Sequence, residues 1–570
     1  MTDSARKRRR LRIVVPAFPA FNIYSRIAVK TTALGPVRVA TAVHEMAGWD
    51  AEVIDENNLG RYGPRADSGG ADHEMLQRQR PADIVGFYGG LTSTIPRLYE
   101  LAKQYKRMGV VTIAGGQHFA GQNIAEALSS GIDYLVLGEG EETIRELLEA
   151  VAGGGAAGQG RTRTTMDGHG HACLSASVGV GERRCASVCE GEARENRRDI
   201  SCIRGIAYLE DGQVICTPSR EPLTDFDRFP YPDFSLVHYA KIRVYPVEQI
   251  RGCPMQCEFC TVKSKPRPAS ADRLLGNIQY LVETCDARHF FVVDDLFGQQ
   301  REDTIRFCQR LREYQEQIGR QLTLTVQIRL DKANDPEMLA AMREAGVRHV
   351  AIGFESPIDE ELKAMNKHIN SEKMLSLVKV FRKIGFWVHG MFIFGYPVGP
   401  NTGFAMPVAE RVARFRRFIR KARIDSVQVL LPVPLPGTGL RRRLEEQGRV
   451  YPLEDVGWQY YDGNFPLFEP DAPMTAEDLQ RAGKRIMSRF YRFRYVFLVV
   501  ASILSFPALA FSLHRLKAGW SAWFRRWETR LVRFGGWITI QKWTSDFRKG
   551  DFLPRLKKAR GRLNAARTSG

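Results

Sequence analysis

Over residues 11–152 the hydrophobic positions fall in short continuous runs, separated by stretches of helical period. The runs are Arg12–Phe18, Asp50–Asp55, Asp83–Tyr88, Val110–Gly115 and Tyr134–Leu137, with amphipathic stretches such as Val37–Ala47, Ile95–Met108 and Glu142–Val151 between them. Brief apolar runs alternating with helices predict a parallel, doubly wound α/β domain. A second alternation covers residues 246–445. Its strands are expected at Val247–Ile250, Phe290–Val293, Leu322–Ile328, His349–Gly353, Trp387–Phe394 and Ser426–Leu431, with helices such as Ala271–Thr284, Asp303–Tyr314, Pro336–Ala345, Ser371–Ile384 and Phe404–Ala422. Six β/α units predict a partial (β/α)6 barrel of TIM type, with its chemistry at the strand carboxyl ends. Residues 153–200 open on Gly153-Gly154-Gly155, lose all periodicity and are expected as a flexible insertion. Residues 201–245 read as a connector with a hairpin over Ile206–Cys216 turning at Asp211-Gly212, and residues 446–570 as an α-helical C-terminal region.

Charge changes the picture of that last region. The chain of 570 residues carries +19, yet 21 of its 83 basic residues and only three of its 64 acids lie in 481–570, so the basic character belongs to the tail. The tail also holds the 18-residue apolar run Val496–Leu513, flanked by Arg489, Arg492, Arg494, Arg515 and Lys517 and followed by five of the eight tryptophans. Tryptophan and arginine beside an apolar segment suit a membrane interface, through residues 489–545, at the cytoplasmic face. The alternative is a buried helical subdomain capping the barrel. Lipid fits this composition better than nucleic acid, and no nucleic-acid partner is expected. Ten cysteines in this length make no disulfide scaffold, the basic Met1–Arg10 leads into a strand and not a secretory leader, and a cytoplasmic protein is expected.

The chemistry concentrates in Arg251-Gly252-Cys253-Pro254-Met255-Gln256-Cys257-Glu258-Phe259-Cys260. Three thiolates spaced Cys-x3-Cys-x2-Cys can hold three corners of a [4Fe–4S] cluster and leave the fourth iron open to a small molecule. A zinc knuckle is the alternative, but structural zinc takes four ligands in paired spacing, and the next cysteines, Cys285 and Cys308, form no such pair. His169, His171, Cys173, Cys185 and Cys189 in the insertion are irregularly spaced and read as linker. In the first domain the strand carboxyl ends, where open α/β sheets take ligands, carry Asp55-Glu56-Asn57-Asn58-Leu59-Gly60, Leu91-Thr92-Ser93, Gly115-Gly116-Gln117-His118 and Gly138–Glu142.

The cysteine spacing and domain order over residues 11–470 resemble the cobalamin-binding branch of the radical S-adenosylmethionine (radical SAM) superfamily. The resemblance implies that Cys253, Cys257 and Cys260 hold the cluster, that S-adenosylmethionine chelates the open iron, and that its one-electron cleavage yields a 5'-deoxyadenosyl radical. It implies that Asp294 and Asp295 contact the cofactor's amino group, that Gln327 and Arg329 reach its carboxylate, and that Glu355 contacts its ribose or the substrate, with Tyr396 near the adenine. Glu355 and Tyr396 are the expected catalytic residues. In the first domain it implies that Asp55, Asn57, Gly60, Thr92, Ser93, Gly115 and Gly116 bind cobalamin. Many corrinoid enzymes read Asp-x-His-x-x-Gly; here Asn57 stands at the histidine position, so cobalt is expected to lack a strong lower protein ligand, and a degenerate domain without cofactor is the alternative. His118 is expected as a loop hydrogen-bonder. The implied function is methylation of a carbon centre of an apolar substrate, such as an isoprenoid or hopanoid lipid, with flavodoxin or ferredoxin as electron donor. An oxidative cyclase shares the architecture, and a non-enzymatic corrinoid sensor is the reading from another class.

Overall fold

A computed structural model describes residues 8–153, 199–399, 402–504 and 517–568, apart from Tyr24, Arg61 and Ser68. The chain divides into two units, Met1–Ala17 with Ala33–Ala240, and Phe18–Thr32 with Lys241–Gly570.

In the first unit, β1 (Arg9–Val15), β2 (Trp49–Asp55), β3 (Ile84–Tyr88), β4 (Val111–Gly115) and β5 (Tyr134–Val136) are parallel neighbours in the order β2-β1-β3-β4-β5. This order reverses between β1 and β3, which places a ligand crevice beyond their carboxyl ends. Leu11, Val14, Val53, Ile54 and Val85 are buried, as strands covered on both faces require. Arg12 interrupts the apolar run of β1 without breaking it. It pairs in register with Glu52 on β2, donates to that carboxylate at 2.7 Å and reaches the Tyr105 hydroxyl at 3.1 Å, so the buried charge is compensated. The stretch read as a connector supplies β6 (Ile206–Glu210) and β7 (Gln213–Cys216), which extend this sheet antiparallel from β5. Asp211 and Gly212 both have positive φ, 50° and 78°, as a type I′ hairpin turn demands.

In the second unit, β8 (Tyr245–Val247) begins the barrel, and β9 (Ile250–Arg251) pairs antiparallel with β10 (Arg267–Pro268). The remaining strands are β11 (His289–Val292), β12 (Thr323–Gln327), β13 (Val347–Glu355), β14 (Trp387–Ile393) and β15 (Ser426–Leu430). The order β15-β14-β13-β12-β11-β8 is parallel throughout, an open six-stranded partial barrel. The cysteine loop runs from β9 to β10. Helices Ala271–Cys285, Arg301–Gln317, Pro336–Glu344, Ser371–Ile384 and Val408–Lys421 alternate with the strands.

The C-terminal region is helical, over Ala476–Phe490, Arg494–Leu504, Lys517–Lys549 and Phe552–Thr568. The first of these starts at a reciprocal Thr475/Asp478 capping box. The tail packs on the barrel in part: the buried Tyr491 hydroxyl bridges both backbone groups of Val427 on β15, and Trp543, Phe552 and Leu556 are buried. Among the described residues no helix is long and apolar enough to cross a membrane. Residues 505–513 of the apolar run, and the insertion residues 154–198 with their histidines and cysteines, lie outside the described residues.

Candidate active site

The loop after β2 is organised by a residue that strand-end reasoning quoted but did not assign. Glu56 accepts from Arg97 on two oxygens (2.7 and 3.1 Å) and from the backbone of Ala17 and Ala71, with His73 at 3.3 Å. Burial alone would raise this carboxyl; the hydrogen bonds and charges of His73 and Arg97 outweigh it and hold Glu56 at about 2. Its partners lie 17 and 41 residues away, so no local pattern announces them. Asp55 and Asn57 are tied together: Asp55 Oδ1 accepts from the Asn57 backbone at 2.9 Å, and the Asn57 amide nitrogen donates to the Pro16 carbonyl at 3.0 Å.

Glycines make the remaining loops close-fitting. A Cβ on Gly60 would lie 2.4 Å from the Tyr239 carbonyl oxygen, and one on Gly116, at φ +134°, would lie 2.4 Å from the Gly89 backbone. Gly115 ends β4, while Thr92 and Ser93 are buried in the turn entering the helix Ile95–Arg107. His118 is buried, 3.4 Å from the Thr92 hydroxyl, and its carbonyl accepts from Asn123. These glycines let the strand-end loops close on the backbone of Tyr239 and Gly89, and Asn57 places a carboxamide where an imidazole could have ligated.

In the second unit the cysteine loop is held at several points. The Gly252 backbone donates to Asp295 at 3.0 Å, and Cys253 N–H to the Ser264 carbonyl at 3.0 Å. Gly252 has φ +93°, and a Cβ there would lie 2.7 Å from the Lys265 carbonyl oxygen. Asn366 donates to the Gln256 carbonyl at 2.9 Å. Glu258, inside the motif, accepts both arms of Arg443 (2.7 and 2.8 Å) and the Tyr396 hydroxyl (2.6 Å). All three cysteines are free and half-buried. Burial raises the Cys257 and Cys260 thiols; Cys253 adds to the rise at Cys257, and Cys257 and Cys253 add to it at Cys260. Among the described residues no three histidine, cysteine or acidic ligands gather around one ion. A cubane binds each thiolate to a different iron, so its ligands stand farther apart than those of a single ion, and three thiols on one braced loop fit it.

The barrel-top residues divide by role. Asp294, expected to contact a cofactor amine, is fully buried; its Oδ1 accepts from Gln249 and Ile250 N–H at 2.7 and 3.0 Å. Burial pushes its carboxyl up to about 7, and the geometry makes it an anchor for the segment leading into the cysteine loop. Asp295 remains half-buried beside Gly252, with the Gln327 amide donating to its carbonyl at 3.3 Å. Arg329 is part-exposed and pairs with Asp331 at 3.1 Å. Glu355 sits at a bulge in β13 with φ +59° and pairs with Lys367 at 3.0 Å. Lys367, Glu355 and Arg329 all act electrostatically on Cys257. Tyr396, expected near an adenine, is completely buried with Met365, Leu440 and Phe468, so it braces the loop through Glu258 and presents no free face. Lys367, Glu258 and Arg443 escaped sequence reasoning, since only their long-range pairing marks them.

Residues 25–148 match the B12 binding domain, and residues 247–402 match the Radical SAM superfamily. The chain joins a B12 binding domain to a radical SAM domain. A [4Fe–4S] cluster, S-adenosylmethionine and cobalamin are the cofactors of this pairing of domains. The enzyme is 25% identical over 500 residues to the anaerobic magnesium-protoporphyrin IX monomethyl ester cyclase of Rubrivivax gelatinosus, covering 83% of this chain and 77% of that protein. It is 30% identical over 290 residues to the hopanoid C-2 methylase of Rhodopseudomonas palustris (strain TIE-1), covering 47% of this chain and 53% of that one. Its fold is similar to the radical S-adenosylmethionine methyltransferase TsrM from Kitasatospora setae, solved with cobalamin and a [4Fe-4S] cluster bound, at a TM-score of 0.57 and 16% identity over 77% of this chain and 78% of that one.

Proposed function

We propose that this enzyme is a cobalamin-dependent methyltransferase acting on a carbon centre of an apolar substrate of isoprenoid or hopanoid type. The observation that carries the reading is a braced three-cysteine loop at the carboxyl edge of a parallel barrel, in a chain that also holds a B12 binding domain. Cys253, Cys257 and Cys260 would hold the cluster; Asp55, Asn57, Gly60, Thr92, Ser93, Gly115 and Gly116 would line the corrinoid site. When bound, the cluster with S-adenosylmethionine supplies one-electron cleavage, and cobalamin supplies the methyl group. The protein's own part is positional. Asp295 fixes Gly252, Arg443 and Tyr396 fix Glu258, and the Glu355–Lys367 pair places opposite charges beside Cys257. Gln327, Arg329 and Asp295 are the polar groups offered to the amino-acid end of S-adenosylmethionine. A flavodoxin- or ferredoxin-type donor delivers the electron, and residues 489–545 bring the enzyme to a membrane surface where an apolar substrate resides.

The test is anaerobic turnover of reconstituted enzyme with methyl-labelled S-adenosylmethionine and a lipid extract. Labelled product together with 5'-deoxyadenosine supports methyl transfer. Deoxyadenosine with an altered but unlabelled product supports the second reading, an oxidative cyclase, which the cyclase likeness over 83% of the chain favours. No deoxyadenosine under any condition overturns both.

A further inference from the structure

The second unit contains a cavity of about 760 Å³ in which eleven of nineteen lining residues are arginine and one, Asp425, is acidic. Asp425 is already engaged, by the Arg382 guanidinium and by the Val388 N–H at 2.9 Å. Some of the arginines are fixed to the fold. Arg525 donates to the Phe386 carbonyl at 2.8 Å, Arg530 to the Ser502 hydroxyl at 2.5 Å, and Arg533 to the Ile424 carbonyl at 2.9 Å. Arg416, Arg417, Arg420, Arg423 and Arg489 are exposed at the rim and pair with no carboxylate among the described residues. So many guanidinium groups around one concavity repel each other, and only an anion of high charge density relieves them all; guanidinium forks match phosphate oxygens in particular.

The adjoining helices carry an apolar stripe. Phe497, Val500 and Leu504 recur at helical spacing on Arg494–Leu504, and Phe524, Leu531 and Ile538 recur every seventh residue on Lys517–Lys549; all six are exposed. Both stripes lie about half a turn from the pocket-lining side of their helices, Tyr495 on the first and Arg526, Thr529 and Arg533 on the second, so they face away from the cavity.

We propose that this arginine-lined cavity binds a phosphate-bearing anion, either the headgroup of an anionic lipid or a soluble phosphate compound. The lipid source rests on the surface association proposed above, whereas the cavity's selectivity for phosphate does not, and binding is read without turnover. Full-length enzyme is sedimented with phosphatidylglycerol vesicles and with phosphatidylcholine vesicles, and inorganic pyrophosphate binding is measured by calorimetry. Two variants of equal net charge are compared, Arg416→Ala/Arg420→Ala at the cavity and Arg306→Ala/Arg310→Ala on a distant helix. The expected result is binding to phosphatidylglycerol but not phosphatidylcholine, or to pyrophosphate, weakened roughly 30-fold by the cavity pair and less than about twofold by the distant pair. Pyrophosphate binding that the cavity pair removes, without vesicle binding, keeps the phosphate site and assigns it to a soluble compound. Equal weakening by both pairs, or no binding to either probe, overturns the proposal; unchanged iron content and circular dichroism establish that the variants fold.

Discussion

Replacing Arg443 with methionine should loosen the cysteine loop although Arg443 belongs to no part of the motif. The substitution keeps the apolar stem and deletes the guanidinium. It removes two charge-assisted bonds to Glu258, at 2.7 and 2.8 Å, and one to the Pro397 carbonyl at 3.0 Å. Glu258 then keeps only the Tyr396 hydroxyl. A buried charge-assisted bond is worth about 1.5–3 kcal/mol net. The two side chains are 24% and 20% exposed, so water partly rescues the orphaned carboxylate, and about 2–3 kcal/mol is expected for the whole substitution. At roughly 2–4 °C per kcal/mol for a unit of this size, the melting temperature falls by about 4–12 °C. Tyr396→Phe, losing one bond, costs about 1–1.5 kcal/mol. Because the loop is what gathers the thiols, iron and sulfide per chain after anaerobic reconstitution should fall in the order wild type, Y396F, R443M. Adding Glu258→Gln to R443M should cost little more, because the pair acts as a unit. An R443M enzyme with wild-type melting temperature and full iron content would show that the loop needs no brace, and the reasoning fails.

Gly252→Ala forces a Cβ to within 2.7 Å of the Lys265 carbonyl at φ +93°, and should cost about 1–3 kcal/mol and lower iron content; Gly212→Ala, at φ +78° with nothing within 4 Å, should leave iron content unchanged, as iron assays on both will show. Serine at Cys253, Cys257 or Cys260 should abolish deoxyadenosine formation and the cluster's absorbance while far-UV circular dichroism persists; a variant that keeps both is not a cluster ligand. Lys367→Met leaves Glu355 without its cation and should reduce deoxyadenosine formation about tenfold or more at unchanged iron content, read by chromatography of single turnovers. Glu56 is held at about 2 against an ordinary 4.5, so its contribution is fully present above pH 4.5 and is lost as pH falls toward 2. That contribution is on the order of 3 kcal/mol, and Glu56→Gln should flatten the fall in urea midpoint between pH 5 and pH 3; an equal fall in both proteins contradicts the assignment.

Legibility in the sequence follows the range of the interaction. The strands of both sheets were visible because strands buried on two faces must be apolar, and Asp211-Gly212 was visible because a type I′ turn constrains φ locally. Attachment of that hairpin to β5 was not, since an exposed antiparallel edge leaves no mark on the residues that will pair with it. The cysteine loop is ten residues long and reads directly, yet Glu258 inside it acquires meaning only from Arg443, 185 residues later. Asp294 and Asp295 were not separable, because both lie beyond the end of β11, where the alternation of strand faces no longer applies. The structure assigns the core to Asp294 and the loop to Asp295.

The bracing of the cysteine loop explains why its anchors come from so many places. The loop packs one apolar side chain of its own, Phe259, against Met365, Tyr396, Leu440 and Phe468; burying more would close the three thiols. The rest of its order comes from hydrogen bonds to rigid neighbours. Asp295 after β11 fixes the first glycine, Asn366 after the helix Asp359–Ala364 holds Gln256, and Arg443 on the helix Gly439–Glu446 holds Glu258. Each anchor removes freedom the loop would otherwise lose when it binds a cluster, so cluster affinity is set partly by residues that never touch iron. Loss of one anchor should therefore weaken cluster retention more than it weakens the barrel.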